Sequence, residues 1–386
     1  MGYLFVLGKN RKLSIDEVVA YFESRGYNVN VNNGYKEIAL VQLDRKIHAE
    51  KVISDLGGTI KICGVVSELG YEINVDLDKW FPSFGSKLRF GVSVYSEKGK
   101  VKLWKRVTEK IKKAAKNSRI KMIHVTPREG HALRHIEVLD KLSKRDGYEI
   151  VIYNNGEKVY VARTVAVHNP HEFMKRDTGR PAQRTIFSIP PRLAKILINL
   201  SRAKAGDTLL DPFCGIGTIP QEAVLMGMSV VSMDKNPKCV KGWRTNFAWL
   251  KREYGLKNAN VKIINDDVAN LSKHIKKESI DAIATEPYLG PPLKDTPTKK
   301  EACRILSELT ALYSNALEEF HKVLKESKHI SIVSPNFKTK EGEELNIDME
   351  KLASRRGFKI ICGPILDADK RHLTRREVYV LQKAKE

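Results

Sequence analysis

The sequence contains no apolar run long enough to cross a membrane, since nowhere do about 18 consecutive apolar residues occur. Residues 1–10 include a short apolar run but neither the basic leader nor the small-residue cleavage site of a signal peptide. Val6 does not fit the myristoylation pattern that could follow Gly2. Because the mean hydropathy is also low, at -0.36, we expect a soluble, cytoplasmic protein without a membrane partner.

Cysteine and glutamine are both scarce. The five cysteines are widely spaced and none forms a CxxC pair, which argues against a zinc site and against a disulfide framework. An odd number of dispersed cysteines is typical of a reducing compartment. Only four glutamines stand beside many lysines and glutamates, and this composition favours a thermophilic source. We therefore predict that no metal is bound.

Positive charge is in large excess and unevenly distributed. The chain has 68 basic and 46 acidic residues, a net charge of +22. Residues 101–200 alone carry 22 basic and 9 acidic side chains. A concentrated basic block favours a polyanionic partner, most often nucleic acid. A lysine-rich solubilising surface, as in thermophile proteins, would give the same composition, so this second explanation stays open.

The 386 residues are enough for two or three domains. Residues 1–50 have the order strand, helix, strand, helix, which is that of a small α+β ferredoxin-like domain. Ser14 and Glu17 predict a capping box for a helix over Ile15–Arg25. Asn33-Gly34 predicts a hairpin turn between two strands.

Residues 59–167 form a second α+β block, whose clearest element is a helix over Lys100–Lys116. Apolar residues recur on one of its faces at helical spacing, and lysines cover the other. That basic face is consistent with plain solvation or with phosphate contact. The apolar face of this helix consists of Leu103, Val107, Ile111 and Ala115.

Residues 168–185 lack periodicity, which predicts a linker.

From residue 186 the pattern alternates between helices and strands. Such alternation predicts an α/β domain with a largely parallel sheet and helices on both faces. The predicted strands are Thr208–Asp211, Ser229–Met233, Val261–Asn265, Ile280–Ala284, His329–Val333, Lys359–Cys362 and Glu377–Gln382.

A glycine-containing loop, DPFCGIGT at 211–218, follows the first of these strands and precedes a helix. Its glycines allow a tight turn and close approach to a ligand, and ligands of open α/β sheets bind at the carboxyl ends of strands. Asp234, at the end of the next strand, could accept hydrogen bonds from two ribose hydroxyls. Asp267, after the third strand, could meet an adenine amino group. Both acids could instead be simple helix caps.

The run DPFCGIGTIPQEAVLMG, which begins at residue 211, resembles the S-adenosylmethionine-binding motif of Rossmann-type methyltransferases that modify base amines. The resemblance implies S-adenosyl-L-methionine as the cofactor, with its ribose on Asp234 and its adenine on Asp267. The methionine moiety would lie on the loop. The loop residues implied in binding are Asp211, Phe213, Cys214, Gly215, Gly217 and Thr218.

After the fourth strand stands TEPYLGPP at 285–292, where families that methylate exocyclic base amines carry Asp/Asn/Ser-Pro-Pro-Tyr. The resemblance implies Glu286 at the acid position, the Pro287 carbonyl as second acceptor and Tyr288 stacking on the base. Acceptors for both N–H groups align the amine and favour localisation of its lone pair. Stacking on a base contributes about 1–3 kcal/mol. A register shifted by one residue would put Thr285 at the acid position.

The segment 168–200 resembles the linker and first helix of archaeal tRNA guanosine methyltransferases, which act on the guanine 2-amino group. That family implies a ferredoxin-like domain over 1–55, a THUMP RNA-binding domain over 56–167, a linker over 168–185 and a Rossmann-fold methyltransferase domain over 186–386. THUMP domains grip the 3′ CCA end of tRNA. The residues implied in RNA binding are Lys105, Lys112, Lys113, Arg128 and Arg134.

We therefore expect an S-adenosylmethionine-dependent RNA methyltransferase, acting first of all on the 2-amino group of a guanosine in tRNA. Transfer would be a direct displacement without a metal or a covalent enzyme intermediate. A rival hypothesis keeps the chemistry but changes the target to a cytosine 4-amino or adenine 6-amino group in rRNA or DNA. A non-catalytic RNA-binding protein and an enzyme that methylates protein amines also stay open. Arg371, Arg375 and Arg376 could touch RNA or be solvated.

Overall fold

The computed structural model divides into two compact units. One consists of Met1–Ile15 with Gly26–Glu172, and the other of Asp16–Arg25 with Phe173–Glu386. Each unit contains a large mixed sheet. The residues that the structure describes are 1–32, 37–69, 73–84, 87–96, 98–143, 147–183, 188–367 and 373–385.

The first unit is built on one eight-stranded sheet in the order β2-β3-β1-β4-β8-β7-β5-β6. Neighbouring strands are antiparallel, except that β5 runs parallel to β6 and β7. This sheet includes strands on both sides of residue 55, and the domain boundary expected there stays a prediction. The strands are β1 (Gly2–Leu7), β2 (Val29–Asn32), β3 (Ile38–Leu43), β4 (Thr59–Leu69), β5 (Leu88–Ser96), β6 (Met122–Val125), β7 (Tyr148–Asn154) and β8 (Val159–Val167).

The amphipathic pattern of the basic helix is confirmed. Its apolar face packs on the first sheet, where Val107, Ile111 and Ala115 are buried, while most of its lysines are exposed. The first five helices are α1 (Arg11–Glu23), α2 (Ala49–Asp55), α3 (Leu77–Trp80), α4 (Lys100–Asn117) and α5 (His135–Lys141).

The predicted capping box at Ser14 and Glu17 is wrong, because α1 begins one turn earlier. The side chain of Asn10 accepts the backbone N–H of Leu13 at 3.2 Å and so caps the helix. Ser14 lies inside the helix, where its hydroxyl donates to the Asn10 carbonyl at 2.8 Å. The hairpin predicted at Asn33-Gly34 lies outside the described residues.

The second unit is built on a sheet in the order β11-β10-β9-β12-β13-β16-β15, with β14 beside β13. The strands from β11 to β13 are parallel, and β16 is antiparallel to both of its neighbours. This confirms the predicted α/β class with a largely parallel sheet. The strands are β9 (Thr208–Asp211), β10 (Ser229–Asp234), β11 (Val261–Asn265), β12 (Ile280–Thr285), β13 (Leu324–Lys338), β14 (Glu344–Asn346), β15 (Phe358–Asp367) and β16 (Thr374–Lys383).

Helices alternate with these strands, and one of them lies in a segment without helical periodicity. Residues 168–185, expected as a linker, contain α6, in which the buried Arg176 donates to Glu222 at 2.7 Å. An ion pair of this kind leaves no trace in the apolar pattern. The helices are α6 (Pro170–Asp177), α7 (Pro191–Leu200), α8 (Thr218–Leu225), α9 (Pro237–Glu253), α10 (Leu271–His274), α11 (Lys299–Val323) and α12 (Met349–Arg355).

The order of the strands in the second sheet positions the site. The chain places β10 on one side of β9 and β12 on the other, so β9 stands at the switch point where the direction of winding reverses. In open α/β sheets the loops on either side of this point diverge and leave a crevice at the carboxyl ends of the strands. The loops after β9, β10 and β12 therefore lie at the same end of the sheet and border this crevice.

Candidate functional site

A cavity of about 340 Å³ lies at these carboxyl ends. All of the residues that the sequence assigned to cofactor and amine binding contribute to it except Gly217, which lies in the loop beneath. Residues that the sequence did not assign also line it, among them Ser188, Asn236, Cys239, Leu312 and Arg376.

The 211–218 loop is held by contacts that leave no room for a side chain at its second glycine. Gly217 has φ +91°, and a Cβ there would lie 2.0 Å from the ring carbon Cε3 of Trp243. The indole N–H of Trp243 donates to Ser232 at 3.0 Å, so the ring cannot move aside freely. Asn246 donates to the carbonyl of Ile216 at 3.0 Å. Helix α9 therefore fixes the shape of the loop.

Asp234 ties this loop to the end of β10. One carboxylate oxygen accepts the N–H of Gly215 at 2.8 Å, and the other accepts the N–H of Asn236 at 2.8 Å. Each carboxylate oxygen has a second acceptor site. Because Asp234 also lines the cavity, it can accept further hydrogen bonds from the hydroxyls of a ligand.

The position of Asp267 is compatible with both roles that the sequence left open. Its side chain accepts the N–H of Ala269 at 3.1 Å and caps a short 3-10 turn. It also lines the cavity. A cap uses only part of the acceptor capacity of a carboxylate, so capping does not prevent Asp267 from meeting a ligand.

Asp211 is a buried acid at the floor of the cavity. One oxygen accepts the Thr285 hydroxyl at 2.8 Å and the N–H of Phe213 at 3.2 Å. Burial raises the pKa of Asp211 to about 7, and the nearby carboxylates of Asp234 and Glu286 act in the same direction. Asp211 therefore titrates near neutral pH.

The Thr285–Asp211 hydrogen bond bears on the two possible registers of the 285–292 motif. Thr285 is fully buried beneath the loop, whereas Glu286 lines the cavity. This placement favours Glu286 for the acid position. Tyr288 also lines the cavity and is 51% exposed, so its ring is open to stacking.

Glu286 forms an ion pair with Arg376 of the last strand, in which Arg376 Nε lies 2.5 Å from Glu286 Oε1. Both side chains are mostly buried. The sequence alone suggests for Arg376 only a possible RNA contact, because nothing in a local pattern joins two residues ninety positions apart. Arg371 lies outside the described residues.

The residues implied in RNA binding belong to the first unit and fall into two sets. Lys105, Lys112 and Lys113 are exposed on α4. Arg128 and Arg134 each lie within 4 Å of the carboxylate of Glu137, so their charges are partly balanced.

The C-terminal part of α4 and the residues that follow it form a surface that we name the basic groove. It is lined by Lys112, Lys113, Lys116, Arg119 and Lys121, around Ile120 and Met122. None of these five cations forms an ion pair with another described residue. Their combined charge is therefore available to a polyanion.

Neither a metal centre nor a membrane-spanning helix occurs in the part of the chain that the structure describes. Within those ranges, no group of three or more His, Cys, Asp or Glu side chains could hold a metal ion. Among the same residues, no helix has both the length and the apolar character needed to span a bilayer.

The raised pKa of Asp211 predicts a pH-dependent stability. Between about pH 4 and 7 the folded protein keeps a proton that the unfolded chain releases, so the free energy of unfolding falls as pH rises through this window. Asp211→Asn keeps the acceptor oxygen but cannot ionise. We expect its unfolding free energy, relative to the parent protein, to rise by up to about 4 kcal/mol from pH 4 to pH 8. Urea denaturation at several pH values measures this, and a constant difference between the two proteins would contradict it.

Comparisons with known proteins agree with this architecture. Residues 180–358 match the family model described as RMKL-like, methyltransferase domain. The chain is 32% identical over 203 residues to the tRNA (guanine(10)-N2)-dimethyltransferase of Methanothermobacter thermautotrophicus, covering 52% of each chain. It is 30% identical over 220 residues to that of Pyrococcus abyssi, covering 57% of each. The chain thus spans little more than half the length of these relatives.

Among solved structures, TrmN from Thermus thermophilus matches 99% of this chain and 100% of its own, with a TM-score of 0.54 and 15% identity. At this identity the likeness shows a shared fold. The resemblance expected from the sequence is confirmed: the chain is similar to the archaeal tRNA (guanine(10)-N2)-dimethyltransferases over little more than half of their length, and its residues 180–358 match the RMKL-like methyltransferase-domain model.

Proposed function

We propose that this protein is an S-adenosylmethionine-dependent methyltransferase that acts on the 2-amino group of a guanosine in tRNA. The observation that carries the proposal is the single cavity shared by the 211–218 loop, Asp234 and the Glu286–Tyr288 segment. Asp234, the carboxylate proposed for the ribose, and Glu286, the carboxylate proposed for the amine, both line it. The relatives named for guanine N2-dimethylation support the choice of base.

The residues at this cavity suit an adenosyl cofactor. Asp234 has acceptor capacity beyond its two backbone hydrogen bonds, which suits a pair of ribose hydroxyls. Asp267 has similar spare capacity for an amino group. S-adenosylmethionine would supply a methyl group activated by a positively charged sulfur. Phe213, Cys214, Gly215 and Thr218 would surround its methionine part, with Gly217 and Asp211 shaping the loop from below.

The amine-binding side of the cavity falls to Glu286, Pro287 and Tyr288. An aryl amine is a poor nucleophile because its lone pair is delocalised into the ring. In the proposed reaction Glu286 and the carbonyl of Pro287 accept its two N–H bonds, which aligns the nitrogen and favours the developing charge. Tyr288 stacks on the base. Since a base inside a helix cannot reach such a cavity, the nucleotide must flip out of its stack.

RNA binding in this proposal rests on the first unit, with a THUMP domain over 56–167 behind a ferredoxin-like domain over 1–55. Lys105 and the basic groove supply exposed, unbalanced charge, and Arg128 and Arg134 lie nearby in sequence. Phosphate contacts of this kind hold RNA without reading its sequence. The identity of the RNA must therefore come from elsewhere in the complex.

The test of the proposed reaction is nucleoside mass spectrometry. Total tRNA and rRNA, prepared separately from a strain that lacks this gene, are incubated with the purified protein and isotopically labelled S-adenosylmethionine. We expect labelled methylguanosine in tRNA. Labelled methylcytidine or methyladenosine, or label only in rRNA, would contradict the proposed substrate. Absence of label in both RNA fractions would contradict the proposed activity.

The two carboxylates should separate binding from chemistry. Glu286→Ala removes the proposed amine acceptor, so we expect kcat to fall about 100-fold or more while the cofactor Kd changes little. Asp234→Ala removes the proposed ribose acceptor and the acceptor of the Gly215 N–H in the 211–218 loop. We therefore expect the cofactor Kd to rise about tenfold or more. Single-turnover kinetics and calorimetry with S-adenosylhomocysteine measure the two effects. An equal loss of rate and affinity in Glu286→Ala would contradict its role, and an unchanged Kd in Asp234→Ala would remove it from the site.

The basic groove should contribute salt-dependent affinity for RNA. Replacing Lys112 and Lys113 by Glu removes two of its cations, so we expect weaker tRNA binding and a salt slope reduced by about 1 for each phosphate that is no longer neutralised. Lys276 and Lys277 are also adjacent, exposed lysines without an ion pair to a described residue, and the same double change there is the matched control. Equal effects of the two double variants in a filter-binding titration would contradict a specific role for the groove.

A further inference from the structure

The ion pair between Arg376 and Glu286 joins two residues that both line the cavity. We infer that Arg376 is a positioning residue, which holds the Glu286 side chain so that one carboxylate oxygen accepts a hydrogen bond from the amine of the base. This inference rests on the proposed function of the cavity. It concerns a residue outside both sequence motifs, on β16, the last strand along the chain.

The two carboxylate oxygens of Glu286 have different surroundings: one contacts Arg376, and the other is available to a ligand. Oε1 lies 2.5 Å from Arg376 Nε, and the two side chains are 10% and 13% exposed. Oε2 has no hydrogen bond to any residue that the structure describes. Since Glu286 lines the cavity, Oε2 is the acceptor that a ligand amine can use.

Arg376 is itself held by the sheet. Strand β16 pairs with β13 on one side and with β15 on the other, and Arg376 stands opposite Pro335 and Asp367. Because the backbone is paired on both sides, the Cα of Arg376, from which the guanidinium extends, is held in place. Planar guanidinium groups bind carboxylates with a more defined geometry than an ammonium group does. The Glu286 side chain is thereby held by an arginine whose backbone is fixed in the sheet.

A glutamate at the acid position needs such support more than a shorter acid would. Its additional rotatable bond increases the conformational entropy that must be lost when the side chain is fixed. Glu286 also lies close enough to the Asp211 carboxyl to raise the pKa of that group, so like-charge repulsion disfavours its position. The Arg376 cation opposes both effects.

The neighbouring Arg375 supplies a matched control. Because side chains alternate along a strand, the Arg375 side chain extends from the opposite face of β16. There it contacts Glu344 at 3.0 Å and Asn336. It is not among the residues that line the cavity. Arg375→Met therefore removes the same chemical group from the same strand without touching Glu286.

The experiment measures kcat, the KM for tRNA and the Kd for S-adenosylhomocysteine in Arg376→Met, Arg376→Gln, Arg376→Lys and Arg375→Met. In both Arg376→Met and Arg376→Gln we expect kcat to fall about tenfold or more, with KM and Kd within about threefold of the parent protein. Arg376→Lys should recover part of the loss, and Arg375→Met should keep kcat within about threefold. Melting temperatures identify any variant that does not fold. If Arg376→Met does not fold, Arg376→Gln is used in its place.

A double-mutant cycle tests whether Arg376 acts through Glu286. In the Glu286→Gln background, removal of Arg376 should cost less than about threefold in kcat, since the side chain that it positions is already altered. Fully additive losses would overturn the inference, as would parental kcat in the Arg376 variants. A rise in KM alone would also overturn it, because Arg376 would then act as an RNA contact. If the unaltered protein methylates no RNA, the proposed function fails and this inference fails with it; an active parent protein separates the two cases.

Discussion

The carboxylate of Asp234 holds the site together, since it joins the ends of two neighbouring parallel strands. It accepts one backbone N–H from the loop after β9 and one from the start of α9. Hydrogen bonds from backbone N–H groups to a carboxylate are stronger than neutral ones, and here they hold the glycine loop against the adjacent strand. With the loop fixed, the Asp211 carboxyl below it reaches Thr285 at the end of β12. Three strand ends are thereby coupled through two acids.

The sequence predicted most of this arrangement because its signals were local. Parallel strands flanked by helices leave continuous apolar runs, and β9 and β11 have the predicted bounds. The acids that follow these strands must meet at one edge of the sheet, since parallel strands all end there. The lining of the cavity by Asp211, Asp234, Asp267 and Glu286 follows from this rule, although their roles stay predictions.

What the sequence did not predict depends on side chains that meet across long separations. Arg376 pairs with Glu286 across ninety residues, and Arg176 of α6 pairs with Glu222 across forty-six. Neither pair alters the apolar periodicity, so the sequence suggests only an RNA contact for Arg376 and a linker for the segment that contains Arg176. The misplaced cap of α1 has a different cause. Asn10 and Ser14 are both good cap residues, and the apolar pattern alone did not decide between them.

The basic groove of the first unit and the cavity of the second unit are lined by charges of opposite sign. The protein as a whole carries +22, and the basic groove adds a local concentration of unpaired cations. The cavity, by contrast, is lined by four acids against Lys235 and Arg376. A positive exterior increases the encounter rate with a polyanion, whereas an acidic cavity favours a ligand with a positive centre and disfavours entry of phosphate. The charges that line the cavity thus favour a ligand with a cationic centre and an uncharged remainder, which fits the methyl donor and the base of the proposed reaction.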